Sequence, residues 1–219
     1  MQISSKNSSF NENPYLRESH NCYSYFLNLK DPSAIELCKK TYGKRNICRR
    51  SQPGYASHYP ALKTADFNCP TILKRTLADN PYIFKTDKKS VCGPAHYKGA
   101  VVVAPGRDYH YYRHNDENIW THKPGYKPST YLDAKNKIIT DPETADRDYG
   151  GTLHYKDFCG FVCVPKDPTK KQMKMYNDTN NSKPLKRIKK SLNTTIRKII
   201  KNRNRTINKN KMNVNLNNN

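Results

Sequence analysis

Long hydrophobic runs are missing from this 219-residue chain. No window approaches the roughly 18 apolar residues that a membrane-spanning helix requires. The opening "MQISSKNSSFNENPYLRESH" also lacks the apolar run of a signal peptide. The expectation is a soluble, intracellular (cytoplasmic) chain. Internal repeats are missing too, which excludes a solenoid or repeat array. The seven cysteines, Cys22, Cys38, Cys48, Cys69, Cys92, Cys159 and Cys163, contain no C-x-x-C pair. "CGFVC" has no second pair at a spacing familiar from zinc sites. In a reducing compartment most of the seven are expected to be buried free thiols. Cys159 and Cys163 alternate onto one face of a strand in that reading.

Acidic side chains are scarce. The chain has 18 Asp and Glu against 40 Lys and Arg, a formal net charge of +22, and a mean hydropathy of -1.00. From Lys170 onward about 15 basic residues face one Asp, so roughly two-thirds of the excess sits in the last quarter. Such asymmetry concerns what the tail meets, an anionic membrane surface or a nucleic acid, more than it concerns the fold. In "KPLKRIKKSLNTTIRKIIKNRNR", Leu185, Ile188, Leu192, Ile196 and Ile199 recur at helical spacing. An amphipathic helix over 184–202 would present Lys186, Arg187, Lys189, Lys190, Arg197, Lys198, Lys201, Arg203 and Arg205 to lipid headgroups or phosphates. The bland alternative is a solvated extension.

What is present before the tail reads as one domain over 15–166, between a polar lead-in at 1–14 and the basic tail at 167–219. "NCYSYFLNLKDP" begins a helix with Asn21 as N-cap and stops at Asp31-Pro32. "SAIELCKKTYG" carries a capping-box spacing at Ser33 and Glu36, and Gly43 as a closing residue. "CPTILKRTLADNP" is a third helix with Pro70 in its first turn. "YKGAVVVAPG" is a buried strand, "DYHYYRH" and "NIWTHK" form a hairpin, and "DFCGFVCVP" is a last strand. Helices first and an antiparallel sheet afterwards describe an α+β fold.

The hairpin carries the chemistry. With its turn centred on Asp116, Tyr112 faces Trp120 and His110 faces His122, on one side of the sheet. One imidazole could then fix the tautomer of the other, or the two could be plain packing. Cys22 follows the cap Asn21 at a helix start, where free N–H groups favour a thiolate. Asp108 and Asp133 are alternative orienting groups. His96, before the buried strand, is an alternative base, and His20 reads as exposed. Metal binding by His110 and His122, with a Cys, His96 or His114, is a further alternative.

The order of a helix-starting Cys, a strand His and a second His one hairpin later resembles the NlpC-type branch of the papain-like cysteine hydrolases. "NCYSYF" stands where that family has "DCSGF", and "HYYRHNDENIWTH" where it has a pattern such as "HVGIYLGDGKFIH". The likeness covers residues 15 to 125. Tyr23-Ser24 replaces the family's Ser-Gly, and two extra helices lengthen the Cys-to-His interval. The resemblance implies a papain-like domain, with Cys22 as nucleophile, His110 as general base and His122 as orienting residue. It implies no cofactor and a peptide or acyl-amide substrate. The rival class is a catalytically decayed scaffold of the same fold that works through its tail. "DYHYYR", "WTHKPG" and "DPETADR" are also similar to a group of uncharacterised bacterial and large-virus proteins, compatible with a virus-encoded chain.

Overall fold

Asparagine side chains start most of the helices. The computed structural model describes residues 9–41, 48, 50–115 and 118–175. Asn13 accepts hydrogen bonds from the backbone of Tyr15 and Leu16 and opens α1, Pro14–Ser19. Asn21 opens α2, Cys22–Leu27, in a reciprocal cap with Ser24, and Asn28 closes it in the left-handed region. Asp31, expected to stop α2, instead caps α3, Pro32–Thr41, accepting from Ser33 and Ala34. Asn68 opens α4, Cys69–Asp79.

The strands then form an antiparallel sheet in the order β1-β5-β2-β3-β4. They are β1 Phe84–Thr86, β2 His96–Ala104, β3 Asp108–His114, β4 Trp120–His122 and β5 Asp157–Pro165. The fold is α+β, helices first, as the order of patterns implied. The short edge strand β1 is an addition that three residues of mixed exposure do not announce.

Both sheet faces are covered, by different material. Val101 and Val103 of β2, Tyr109 and Tyr111 of β3, and Val162 and Val164 of β5 pack with Cys22, Tyr23, Phe26, Ile72 and Leu73 of the helices. The intervening residues Ala100, Val102, Tyr112, Trp120 and Phe161 pack on the other side with Ile139 and Tyr155. Those two come from the long connection between β4 and β5, which Arg147 holds together by donating to the carbonyls of Pro142, Glu143 and Tyr155. Period-two alternation therefore gives β3 one tyrosine face and one histidine face. Gly99 lets β2 approach α2: a Cβ there would collide with the Phe26 ring.

The hairpin register differs from the expected one by two residues. Tyr112 lies opposite His122, and His114 opposite Trp120. Asn115 makes the difference, its N–H bonding the Ile119 carbonyl and its side chain accepting from the Ile119 N–H. A shift of two keeps each side chain on its face, where a shift of one would not.

Four further expectations are corrected. Six of the seven cysteines are paired, as Cys38–Cys48, Cys69–Cys159 and Cys92–Cys163. Cys22 alone is free. The strand that brings Cys159 and Cys163 beside separate partners cannot be seen in their spacing. His20 is buried, its Nε2 accepting from the Asp31 N–H and its Nδ1 donating to Ser19. The lead-in is part of the body at Phe10, which is buried against Tyr25 and His20. The body also runs past 166: Met175 bridges Ser51, and Gln172 donates to Asn80. The compact unit spans Met1–Tyr176. The tail helix over 184–202 and its basic residues lie outside the described residues.

Titration with a thiol reagent, without reductant, should find about one reactive thiol per chain in denaturant and almost none in the native protein. A count near seven in denaturant would remove the three bridges.

Candidate active site

The edge of β3 beyond the end of β4 is where Cys22 is seated. β4 pairs only with 112–114, so the backbone groups at 109–111 that point toward it need other partners. Cys22 supplies one. Its Sγ lies 3.9 Å from the carbonyl oxygen of Tyr109 and also touches the N–H groups of Tyr111 and Tyr23. Tyr109 and Tyr111 flank His110. The thiol is thus seated on the stretch of strand that carries the proposed base, although no hydrogen bond joins Cys22 to His110 among the described residues.

The two histidines do meet. Nε2 of His110 is 2.7 Å from Nδ1 of His122, with the rings nearly perpendicular. They are diagonal neighbours across the ladder, not directly opposed. Nε2 of His122 lies 2.9 Å from the carbonyl oxygen of Leu132. A carbonyl only accepts, so His122 carries its proton on Nε2 and its Nδ1 is a bare acceptor. His110 must then donate from Nε2, which leaves its Nδ1 unprotonated. That nitrogen has no hydrogen bond to another side chain or carbonyl among the described residues.

Burial governs the protonation states. It lowers the pKa of His110 well below the ordinary imidazole value, with the neighbouring His122 adding to the effect. It takes His122 down to about 4, against the pull of the Leu132 carbonyl and Asp133. The Cys22 thiol goes the other way from the expected thiolate. Burial raises its pKa first and the Asp108 charge second, and these outweigh Lys123 and the backbone N–H groups. A six-residue helix contributes too little dipole to reverse the desolvation.

Neither Asp108 nor Asp133 orients a histidine directly. Asp108 accepts from the Tyr155 hydroxyl and the Tyr109 N–H, and Asp133 accepts from the N–H groups of Lys135, Lys137 and Asp146. Both His122 nitrogens are engaged, so it has no lone pair for a metal. His96, opposite Pro165 of β5, meets Phe84 edge-on, and His114 lies tilted against Trp120, its partner in the β3–β4 ladder.

Lys123 follows His122 at the end of β4. Its side chain is completely buried, and Nζ donates to the carbonyls of Arg17 (2.7 Å) and Gly125 (2.6 Å). Burial, then repulsion from Arg50, pulls its pKa down to about 7, while the Cys22 charge would raise it. One lysine among 40 basic residues carries no sequence signal beyond following a buried strand histidine.

The site is closed. Cys22 is 5% and His110 3% exposed, and neither of the two cavities described on the molecule is lined by them.

His20 and His122 each have a pKa of about 4 in the folded protein and about 6.5 unfolded, so the unfolded chain binds more protons between those values. Stability present above pH 6.5 should fall as pH drops toward 4, by up to about 3 kcal/mol for each ring. Denaturant midpoints across that range should show a steeper loss in the parent than in a His20→Gln/His122→Gln variant. Equal slopes would contradict the buried neutral rings.

No family model and no solved structure matches the chain. Among curated proteins it is similar to insoluble matrix shell protein 1 of Ruditapes philippinarum, at 42% identity over 65 residues, covering 30% of this chain and 40% of that protein. The chain thus spans well under half the length of the curated relative it matches.

Proposed function

We propose that Cys22, His110 and His122 form the site of a cysteine hydrolase acting on an amide or acyl bond, on a papain-like, NlpC-type arrangement of helices and sheet. The observation that carries this reading is the Nδ1 of His110, unprotonated through the His122–Leu132 chain of bonds and without a protein partner among the described residues, on the same strand whose Tyr109 carbonyl the free Cys22 thiol contacts. In the proposed reaction the Cys22 S–H proton passes to His110 Nδ1 as the sulfur attacks the carbonyl carbon. The same nitrogen returns the proton to the leaving amine as the C–N bond breaks. Water then adds to the thioester, gives its proton to His110, and releases the acid as the thiol is restored. His122 holds the ring and stabilises the imidazolium without moving its own proton. The resting thiol is neutral, so ionisation has to accompany substrate entry, and opening of the closed site precedes it.

The three disulfides favour an oxidising compartment over the cytoplasmic one expected from the opening sequence. They also favour a second reading. A basic, disulfide-tied scaffold similar in part to a shell matrix protein is suited to a structural role in an extracellular matrix, with the same fold but no turnover. The tail reading, binding anionic membrane or nucleic acid, belongs with this second class.

An electrophilic acyl probe separates the two. Labelling should vanish in Cys22→Ala, and should slow by about 10²-fold or more in His110→Ala, where the thiol remains. Equal labelling rates in the parent and His110→Ala would reduce Cys22 to an ordinary buried thiol and leave the matrix reading.

A further inference from the structure

Apart from that closed site, a cavity of about 580 Å³ lies on the histidine face of the sheet, and its lining includes Lys89, Lys98, Lys166, Trp120, Phe161 and Asp141. The volume suits a ligand of one or two rings. Its charges do not balance. Lys88, also in the wall, is matched by Asp141 and Glu143. Lys89 and Lys166 form no ion pair among the described residues. Lys98 stands on the central strand β2, where its Nζ donates to the carbonyls of Asp87 (3.1 Å) and Lys88 (2.8 Å) and lies 5.6 Å from the Phe161 ring centroid. Two acceptors leave one ammonium N–H without a hydrogen-bond partner among the described residues. Burial lowers the pKa of Lys98, against the pull of the Asp87 carboxylate.

The wall is fixed. Cys92, in the loop bearing Lys88 and Lys89, is tied by a disulfide to Cys163 of β5, and Asp87 folds that loop by accepting from the N–H groups of Lys89 and Ser90. Trp120 and Phe161 form an aromatic floor, 5.8 Å between ring centroids, but each is only 5% exposed. Such a floor offers ring edges, not a free face. It is poor for stacking a nucleobase, which needs an open aromatic plane.

We propose that this cavity binds a sulfated or carboxylated saccharide, its anionic group on Lys89, Lys98 and Lys166 and its ring against the Trp120–Phe161 floor. The site is independent of Cys22 and His110. The disulfide-tied wall suits the oxidising surroundings in which acidic glycans are met.

Trp120 is the only tryptophan and lines this cavity, so its fluorescence reports ligand bound there. Full-length protein is titrated with a sulfated disaccharide, its desulfated counterpart, inorganic sulfate and a short single-stranded oligonucleotide. A saturable change is expected with the sulfated disaccharide, weakened by salt and at least several-fold tighter than with sulfate alone. Exposed ion pairs are worth up to several-fold each, so Lys89→Ser/Lys166→Ser should weaken binding by roughly tenfold, with unchanged thermal midpoint. Lys98→Met should weaken it again. An equal response to the neutral sugar, equal affinity for free sulfate, tighter binding of the oligonucleotide, or indifference to the lysine variants would each overturn the assignment.

Discussion

A single backbone carbonyl, that of Leu132, decides where two imidazoles keep their protons. Because it can only accept, it commits His122 to a proton on Nε2. That commitment passes through the 2.7 Å contact to His110 and ends at a bare Nδ1. Both rings are buried and held neutral, so nothing in the resting state competes for the assignment. If Leu132 did not present its oxygen, the pair could exchange tautomers, and neither nitrogen would be reserved as a base.

The same burial acts in opposite senses on the two partners of the proposed reaction. It keeps His110 unprotonated, as a base must be, and it keeps Cys22 protonated, as a nucleophile must not be. Thiol and imidazole pack with different layers, the sulfur among the helix-side tyrosines and the ring with Tyr112 and Tyr155. What they share is strand β3, whose Tyr109 carbonyl the sulfur contacts and which carries His110 on its other face. Lys123, with carbonyl partners and no carboxylate, is the nearby charge that pulls the thiol toward ionisation. A site of this kind is a resting one, in which admission of water or substrate would change the ionisation balance.

The sheet joins the two sites while keeping them apart. β2 and β5 run through the middle, and two of the three disulfides fasten β5, one to α4 and one to the loop beside the lysine cavity. Cross-links closing such long stretches of chain restrict the unfolded state, which suits a sheet whose second face is covered by irregular chain. That covering segment is held by Arg147 and not by regular structure.

Cap residues and strand periodicity made α1's neighbours, β2, β3 and β5 legible, because local hydrogen bonding and alternation are written in adjacent residues. The sequence also determined that His110 and His122 share a face, since any even register gives that result. Which even register was decided by Asn115 closing on Ile119. Disulfide partners, the burial of Phe10 and His20, and the ammonium of Lys123 between two carbonyls depend on segments distant in the chain. The sequence by itself determined the residue types and most of their faces; the bulge that turns Cys159 to the helix side, away from the face of Cys163, was not legible in it. Only the tertiary structure decided the protonation of the thiol and the tautomers of the histidines, because desolvation and a carbonyl's direction arise when remote segments pack.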